Sequence, residues 1–385
     1  MLKTNTSMKK QLILMALLLG TAAYAQKTKN NIDPKIDAYV KKEMKATGIP
    51  GMAVAVIRDG KILHSQSYGT ANIEHDIPVS AGTSFQIASV TKLFTSTLIA
   101  KWLQEKKISL DDQLSKYIAD SPESWKAITL RQLLAHESGI PWAPATAGSN
   151  GARPARPFVI DSLKSLVEKL KTMPLKFAPG SSQLYINGDY FLIQYLIEQL
   201  AGMPFEQVLK KEVFEPLGME RSGFDGELRD LRMMTMYPLK GKSQNFTSGT
   251  SGPLIFKGYF APTTYDAGGL YLSLADATKW VQALDAQQFL RPATLELFQQ
   301  LRDPKDGFTQ LGWTSRHSGA HQVIGHSGGP GLADILRVPS QRLTIIVLNN
   351  FLDINPYIAG EILQHYLPEY QPQQLEKKIQ RDFVR

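Results

Sequence analysis

Phe85-Gln86-Ile87-Ala88-Ser89-Val90-Thr91-Lys92-Leu93-Phe94 is the stretch from which the fold of this chain is read. Val90, Leu93, Phe94, Leu98, Ile99, Trp102 and Leu103 recur at helical spacing and mark a buried helix headed by Ser89-Val90-Thr91-Lys92. A serine hydroxyl is a weak nucleophile at neutral pH and needs a base within hydrogen-bond reach. Residues three apart share a helix face, so Lys92 can bring its amine to the Ser89 oxygen. The helix N-terminus adds free backbone N–H groups and the positive dipole end, both suited to developing negative charge. The chemistry expected is acyl transfer through a serine ester. Spacing alone is weak, because Ser7-Met8-Lys9-Lys10 repeats it in a segment that cannot be catalytic. The rest of the chain has to supply the context.

Upstream, Ile36, Val40 and Met44 predict a helix ending near Gly48-Ile49-Pro50. Two β-rich runs, Met52 to Ile57 and Ile62 to Tyr68, flank Asp59-Gly60 and predict a hairpin. Downstream, residues 110–254 read as helical and loopy, with helical runs at Leu130 to Leu134, Leu163 to Leu170 and Tyr190 to Leu200. Two irregular stretches, 141–157 and 240–252, are long enough to be functional rims. Strand character returns after Gly268-Gly269. Residues 311–316 are expected to pair with 321–325, and 334–338 with 343–348, before a closing helix at 356–367. The fold class expected is α+β: an antiparallel sheet built from both chain ends and flanked by helices, with an inserted, mainly helical subdomain. The α/β part is assigned to 26–109 and 255–368, the helical part to 110–254 and a polar tail to 369–385.

Residues 1–25 read as an export signal. Lys9 and Lys10 form a basic start, Leu12 to Gly20 a short apolar core, and Ala23-Tyr24-Ala25 a cleavage site. That core is too short for a permanent bilayer span, so a periplasmic or secreted protein without a stable membrane anchor is expected. Zero cysteines excludes a thiol nucleophile or thiolate metal site. The formal charge is +8, but Lys3, Lys9 and Lys10 would leave with the signal. The remaining basic residues are scattered, without the clustering of a nucleic-acid footprint.

Two further motifs carry chemistry. Tyr185-Ile186-Asn187 follows Ala178-Pro179-Gly180 and precedes the Tyr190 helix. A tyrosine near a lysine can relay the nucleophile's proton, and an asparagine side chain can bind a substrate amide. In Gly325-His326-Ser327-Gly328-Gly329, a glycine-ended strand lets backbone approach a substrate closely. The Gly329 N–H could complete an oxyanion hole with that of Ser89.

Together these motifs resemble the serine β-lactamase-related family, which includes class C β-lactamases, D-Ala-D-Ala carboxypeptidases, D-aminopeptidases and esterases. Accessory segments extend the resemblance over essentially the whole chain after the signal: Ile108-Ser109-Leu110-Asp111-Asp112, Leu133-Leu134-Ala135-His136-Glu137-Ser138-Gly139-Ile140 and Ala267-Gly268-Gly269-Leu270. The resemblance implies that Ser89 is acylated and that Lys92 and Tyr185 serve jointly as base and proton shuttle. It also implies that Asn187, His326, Ser327 and Gly328 hold the substrate, without metal or organic cofactor. One departure matters, since class C β-lactamases carry Lys-Thr-Gly where this chain has His326-Ser327-Gly328. A mostly neutral imidazole attracts a substrate carboxylate less than a lysine does.

The reading is therefore an exported serine hydrolase cleaving an amide or ester. Its substrate is a D-amino-acid peptide, such as a cell-wall peptide, or a small ester. A β-lactamase and a penicillin- or peptidoglycan-binding protein that acylates without turning over remain alternatives. So does an α/β-hydrolase, because Gly325-His326-Ser327-Gly328-Gly329 also matches G-x-S-x-G, with Ser327 as nucleophile followed by Asp353 and His365. His317, His321 and His326 lie close in sequence, but they lack a supporting carboxylate, and no metal is expected. His136 is expected to fix a loop by hydrogen bonding.

Overall fold

Gly51–Arg58 is buried on both faces, and its apolar residues run without a break, as a central strand covered on two sides requires. Ala53, Ala55 and Ile57 join a large core with Leu93, Phe94 and Trp280. Met52, Val54 and Val56 face the other way, against Ile36 and Val40 of the Pro34–Thr47 helix and Ile358 and Ile362 of the Ile358–Tyr366 helix. Asp59 and Gly60, both at positive φ, turn this strand into Lys61–Asn72. Such a turn matches the twist of the strands it joins.

These observations come from a computed structural model that describes residues 31–141, 162–224, 242–249, 252–256, 260–299, 303, 307–316, 321–329 and 331–378. The export signal, residues 142–157 of the first rim, residues 240, 241, 250 and 251 of the second, and His317 lie outside the described residues. Ile32–Arg385 forms one compact unit. Among the described residues, no helix is long and apolar enough to cross a membrane.

The main sheet has eight strands in the spatial order Ile77–Pro78, Lys61–Asn72, Gly51–Arg58, Leu343–Asn349, Ala333–Val338, Ile324–Gly328, Trp313–Ser315 and Thr309–Gln310. Every pairing in this sheet is antiparallel, and its first strand in chain order pairs with its last, Val54 opposite Val347. The expected fold class is thus the observed one. The C-terminal pairings also fall where expected, with Thr314 opposite Gly325 and Ile335 opposite Ile346.

Two features differ from the sequence reading. Directly after Gly269 comes one short strand, Leu270–Ser273, and the chain then turns into the helices Leu274–Ala286 and Pro292–Gln299 before the remaining strands. The first of these is capped by Ser273, whose side chain accepts from Asp276 N. Leu270–Ser273 lies between Ser84–Gln86 and Gly223–Phe224 in a three-stranded sheet that braces the Ser89 turn. The segment read as a polar tail also packs: Tyr370 is buried, and Lys377 Nζ bonds both Glu43 carboxylate oxygens.

Candidate active site

Ser89 sits in a single 3-10 turn, Ala88–Val90, directly ahead of the Thr91–Gln104 helix. The small sheet fixes this turn, since Ile87 N donates to Leu270 O at 3.0 Å and Leu270 N donates to Thr91 Oγ1 at 3.2 Å. Ala88 has φ +44°, a left-handed conformation that disfavours any residue with a Cβ. Strain of this kind, of order 1–3 kcal/mol, persists where surrounding structure imposes it and is enriched at functional sites. Nothing in the sequence announces it.

Lys92 is fully buried and projects back toward the turn. Its Nζ lies 2.6 Å from Ala267 O, 3.0 Å from Asn187 Oδ1 and 3.4 Å from Ser89 Oγ. A carbonyl can only accept, and Asn187 Oδ1 is likewise an acceptor. All three oxygens lie within reach of the amine hydrogens; when the amine gives up a proton while the Ala267 and Asn187 oxygens stay bound, its lone pair faces the Ser89 hydroxyl, the arrangement a general base needs. Beside it, Asp266 is fully buried and has no side-chain cation within salt-bridge distance among the described residues. Burial pushes that carboxyl well above its usual range, with Lys92 pulling the other way.

Asn187 opens the Asn187–Ala201 helix, and Tyr185 stands two residues ahead, before the extended Ile186. The centre of the Tyr185 ring is 5.2 Å from Lys92 Nζ, and that of Tyr190 is 5.0 Å away. Tyr185 is 45% exposed, so one edge of the ring faces solvent beside an otherwise buried lysine. Its hydroxyl lies 3.5 Å from His326 Nε2. His326 Nδ1 is 2.8 Å from Ser327 O, which can only accept, so Nδ1 carries the hydrogen. Burial holds the His326 imidazole down to about 3, and the nearby Lys92 and Arg316 charges add to this. The ring is therefore neutral, Nε2 is an acceptor, and the Tyr185 hydroxyl donates toward it.

Gly328 ends the Ile324–Gly328 strand against the Ser89 turn. A Cβ there would come within 2.0 Å of Ile87 O, whereas Gly329 has open space around it. The strand end and the turn thus meet through backbone, and only glycine permits the approach. One residue earlier, Ser327 Oγ accepts a hydrogen bond from Arg316 Nη2, which also donates to Asp334 Oδ1 at 2.9 Å. Burial raises the Asp334 carboxyl to about 6, against the pull of Arg316. With Ser327 Oγ accepting from the guanidinium, its O–H remains available as a donor.

The structure thus brings Ser89, Lys92, Asn187, Tyr185 and His326 together, with Gly328 against the Ser89 turn and Ser327 next to His326. Arg316 was not anticipated, because only strand pairing carries it to Ser327. His136 does hydrogen-bond as expected, and its partners are Asp189 and Ile186. The α/β-hydrolase alternative is corrected. Ser327 lies within an antiparallel strand, where that fold needs a strand-to-helix turn at its nucleophile. Asp353 is engaged by Thr247 and Ser248, and His365 faces Asp33 at 3.6 Å. Of the clustered histidines, His321 pairs with Glu369 at 2.7 Å, while His326 faces Tyr185.

Known proteins align with this architecture. The family model described as Beta-lactamase matches residues 36–361. A protein from Escherichia coli K12, provisionally named D-alanyl-D-alanine carboxypeptidase, is 24% identical over 82% of this chain and 81% of its own length. A D-aminopeptidase from Gluconobacter oxydans is 29% identical over 84% of this chain, which spans 61% of that protein. Among solved structures, an octameric penicillin-binding protein homologue from Pyrococcus abyssi superposes with a TM-score of 0.74 at 24% identity, covering 87% of this chain and 77% of its own. EstCE1, a hydrolase with promiscuous acyltransferase activity, gives 0.66 at 19% identity over 82% and 93%. The two solved structures share the fold, and the family match spans most of the sequence. The chain belongs to the beta-lactamase family, whose members are generally serine hydrolases.

Proposed function

We propose that this chain is an exported serine hydrolase that cleaves a D-amino-acid peptide with a free C-terminal carboxylate through an acyl-enzyme on Ser89. The observation that carries the mechanism is the Lys92 amine, tied to Ala267 O and Asn187 Oδ1 with Ser89 Oγ in its third position. Lys92 accepts the Ser89 proton as Oγ attacks the substrate carbonyl. The N–H groups of Ser89 and Gly329 stabilise the oxyanion, and Tyr185 donates its phenolic proton to the departing amine while taking back the proton held by Lys92. Water then hydrolyses the ester, with the same groups acting in reverse. No step calls for a metal or cofactor.

Arg316 favours a carboxylate-ended substrate. Its guanidinium supplies beside Ser327 the positive charge that the neutral His326 does not. The carboxypeptidase and aminopeptidase names among the relatives are consistent with this class, and the leader favours encounter with cell-wall peptide outside the cytoplasm. A second reading, a small uncharged ester, is favoured by Asp334, which neutralises Arg316 once ionised.

A substrate panel decides between these readings. D-alanyl-D-alanine peptides, D-aminoacyl amides, short esters and nitrocefin are assayed with the wild type and with Ser89→Ala. Peptide cleavage that Ser89→Ala abolishes supports the proposal, whereas turnover of esters alone supports the second reading. A single burst without steady turnover would make the protein a binder in practice.

A further inference from the structure

We propose that His136, anchored by Asp189 and Ser138, is the positioning residue for Tyr185, an inference that rests on the role given to Tyr185 above. His136 grips the chain on both sides of that tyrosine. Leu184 N donates to His136 O at 2.9 Å, and Ile186 N donates to His136 Nδ1 at 3.4 Å. The two rings are in tilted contact, with centres 4.4 Å apart and planes at 47°. His136 itself adopts φ +59°, unusual for a residue with a side chain. Tyr185 needs such a clamp, since it is half-exposed and, among the described residues, its hydroxyl makes only the long contact to His326.

The clamp is closed by Asp189, in the first turn of the Asn187–Ala201 helix. Asp189 Oδ2 lies 3.1 Å from His136 Nδ1, Oδ1 accepts from the Ser138 hydroxyl, and Ser138 Oγ accepts from Ile140 N at 2.9 Å. One hydrogen lies between Asp189 Oδ2 and His136 Nδ1, and that nitrogen has a single in-plane site, so the 3.4 Å approach of Ile186 N is the weaker of its two contacts. Burial pushes Asp189 up and His136 down, which favours a neutral acid donating to a neutral imidazole. Lys92, neutral His326, Tyr185 and Tyr190 are the titratable groups facing His136 from elsewhere in the site, and the Lys92 charge further disfavours an imidazolium. The pair moves no proton; it holds one geometry.

The test is a double-mutant cycle read by fluorophosphonate labelling and p-nitrophenyl acetate turnover, with thermal melts of each variant. His136→Ala and Asp189→Ala should each slow labelling 10- to 100-fold, and adding Tyr185→Phe should cost less than a further threefold, because both act through one side chain. Asp189→Asn, which can donate to Nδ1 and accept from Ser138 as the neutral acid does, should keep at least a third of the wild-type rate. It decides the case if an alanine variant does not fold. Multiplicative losses, or an Asp189→Asn variant as slow as Asp189→Ala, overturn the proposal. A Tyr185→Phe variant at full wild-type rate refutes the role of Tyr185 first and is recognised before any His136 variant is made.

Discussion

Replacing Arg316 by glutamine tests the substrate class most sharply. Arg316 Nη2 bonds Asp334 Oδ1 and Ser327 Oγ, one residue along the strand from His326. A hydrogen bond to a charged group contributes about 1.5–3 kcal/mol, so removing the guanidinium should lower kcat/KM for a carboxylate-ended peptide roughly 10- to 100-fold. The same peptide as its C-terminal methylamide should lose less than about threefold, since the amine, hydroxyl and phenol of the site are untouched. Arg316→Gln with Asp334→Asn removes both charges while keeping the shape, which guards against a buried, unpaired carboxylate. In the wild type, Asp334 protonates as pH falls through about 6 and frees the guanidinium from its balancing anion. Preference for the free acid over the amide should therefore rise between pH 8 and pH 5. Equal losses on the two peptides, or a preference that falls with acidification, would refute the assignment of Arg316.

Other perturbations follow from the same geometry. Asp334→Asn should stabilise the protein above pH 6 by up to about 3 kcal/mol and change little at pH 4, because a carboxyl raised from 3.8 to about 6 loses stability as pH rises between those values; denaturant midpoints at several pH values check this. His326 should contribute no limb to the pH–rate profile between pH 5 and 8, since its imidazole stays neutral down to about 3. His326→Gln should leave the shape of that profile unchanged. Gly328→Ala should cost about 1–3 kcal/mol and slow acylation, because its Cβ would meet Ile87 O at 2.0 Å and shift the Ser89 turn; thermal melting and labelling rates report both effects.

What the sequence revealed was local. Asp59-Gly60 makes its hairpin by turn chemistry alone, and the Val90-to-Trp102 spacing announces a buried helix without reference to anything distant. The Ser89–Lys92 contact is equally local, being one helical turn. What escaped was settled across the fold. Arg316 reaches Ser327 only because Ser315 pairs with Ile324, and His136 meets Asp189 across 53 residues of chain. The Leu274–Ala286 helix was read past because the strand before it is only four residues long. The strain at Ala88 is imposed by packing on both sides of the turn, and an alanine in sequence gives no sign of it.

Activation of one serine by one buried lysine is the claim on which the rest depends, and mapping a covalent adduct tests it most directly. After fluorophosphonate treatment, digestion and mass spectrometry should place the label on the peptide bearing Ser89. Labelling should be lost in Ser89→Ala, fall at least a hundredfold in Lys92→Met, and persist in Ser327→Ala. A label on any other residue, or undiminished labelling without the Lys92 amine, would contradict the account.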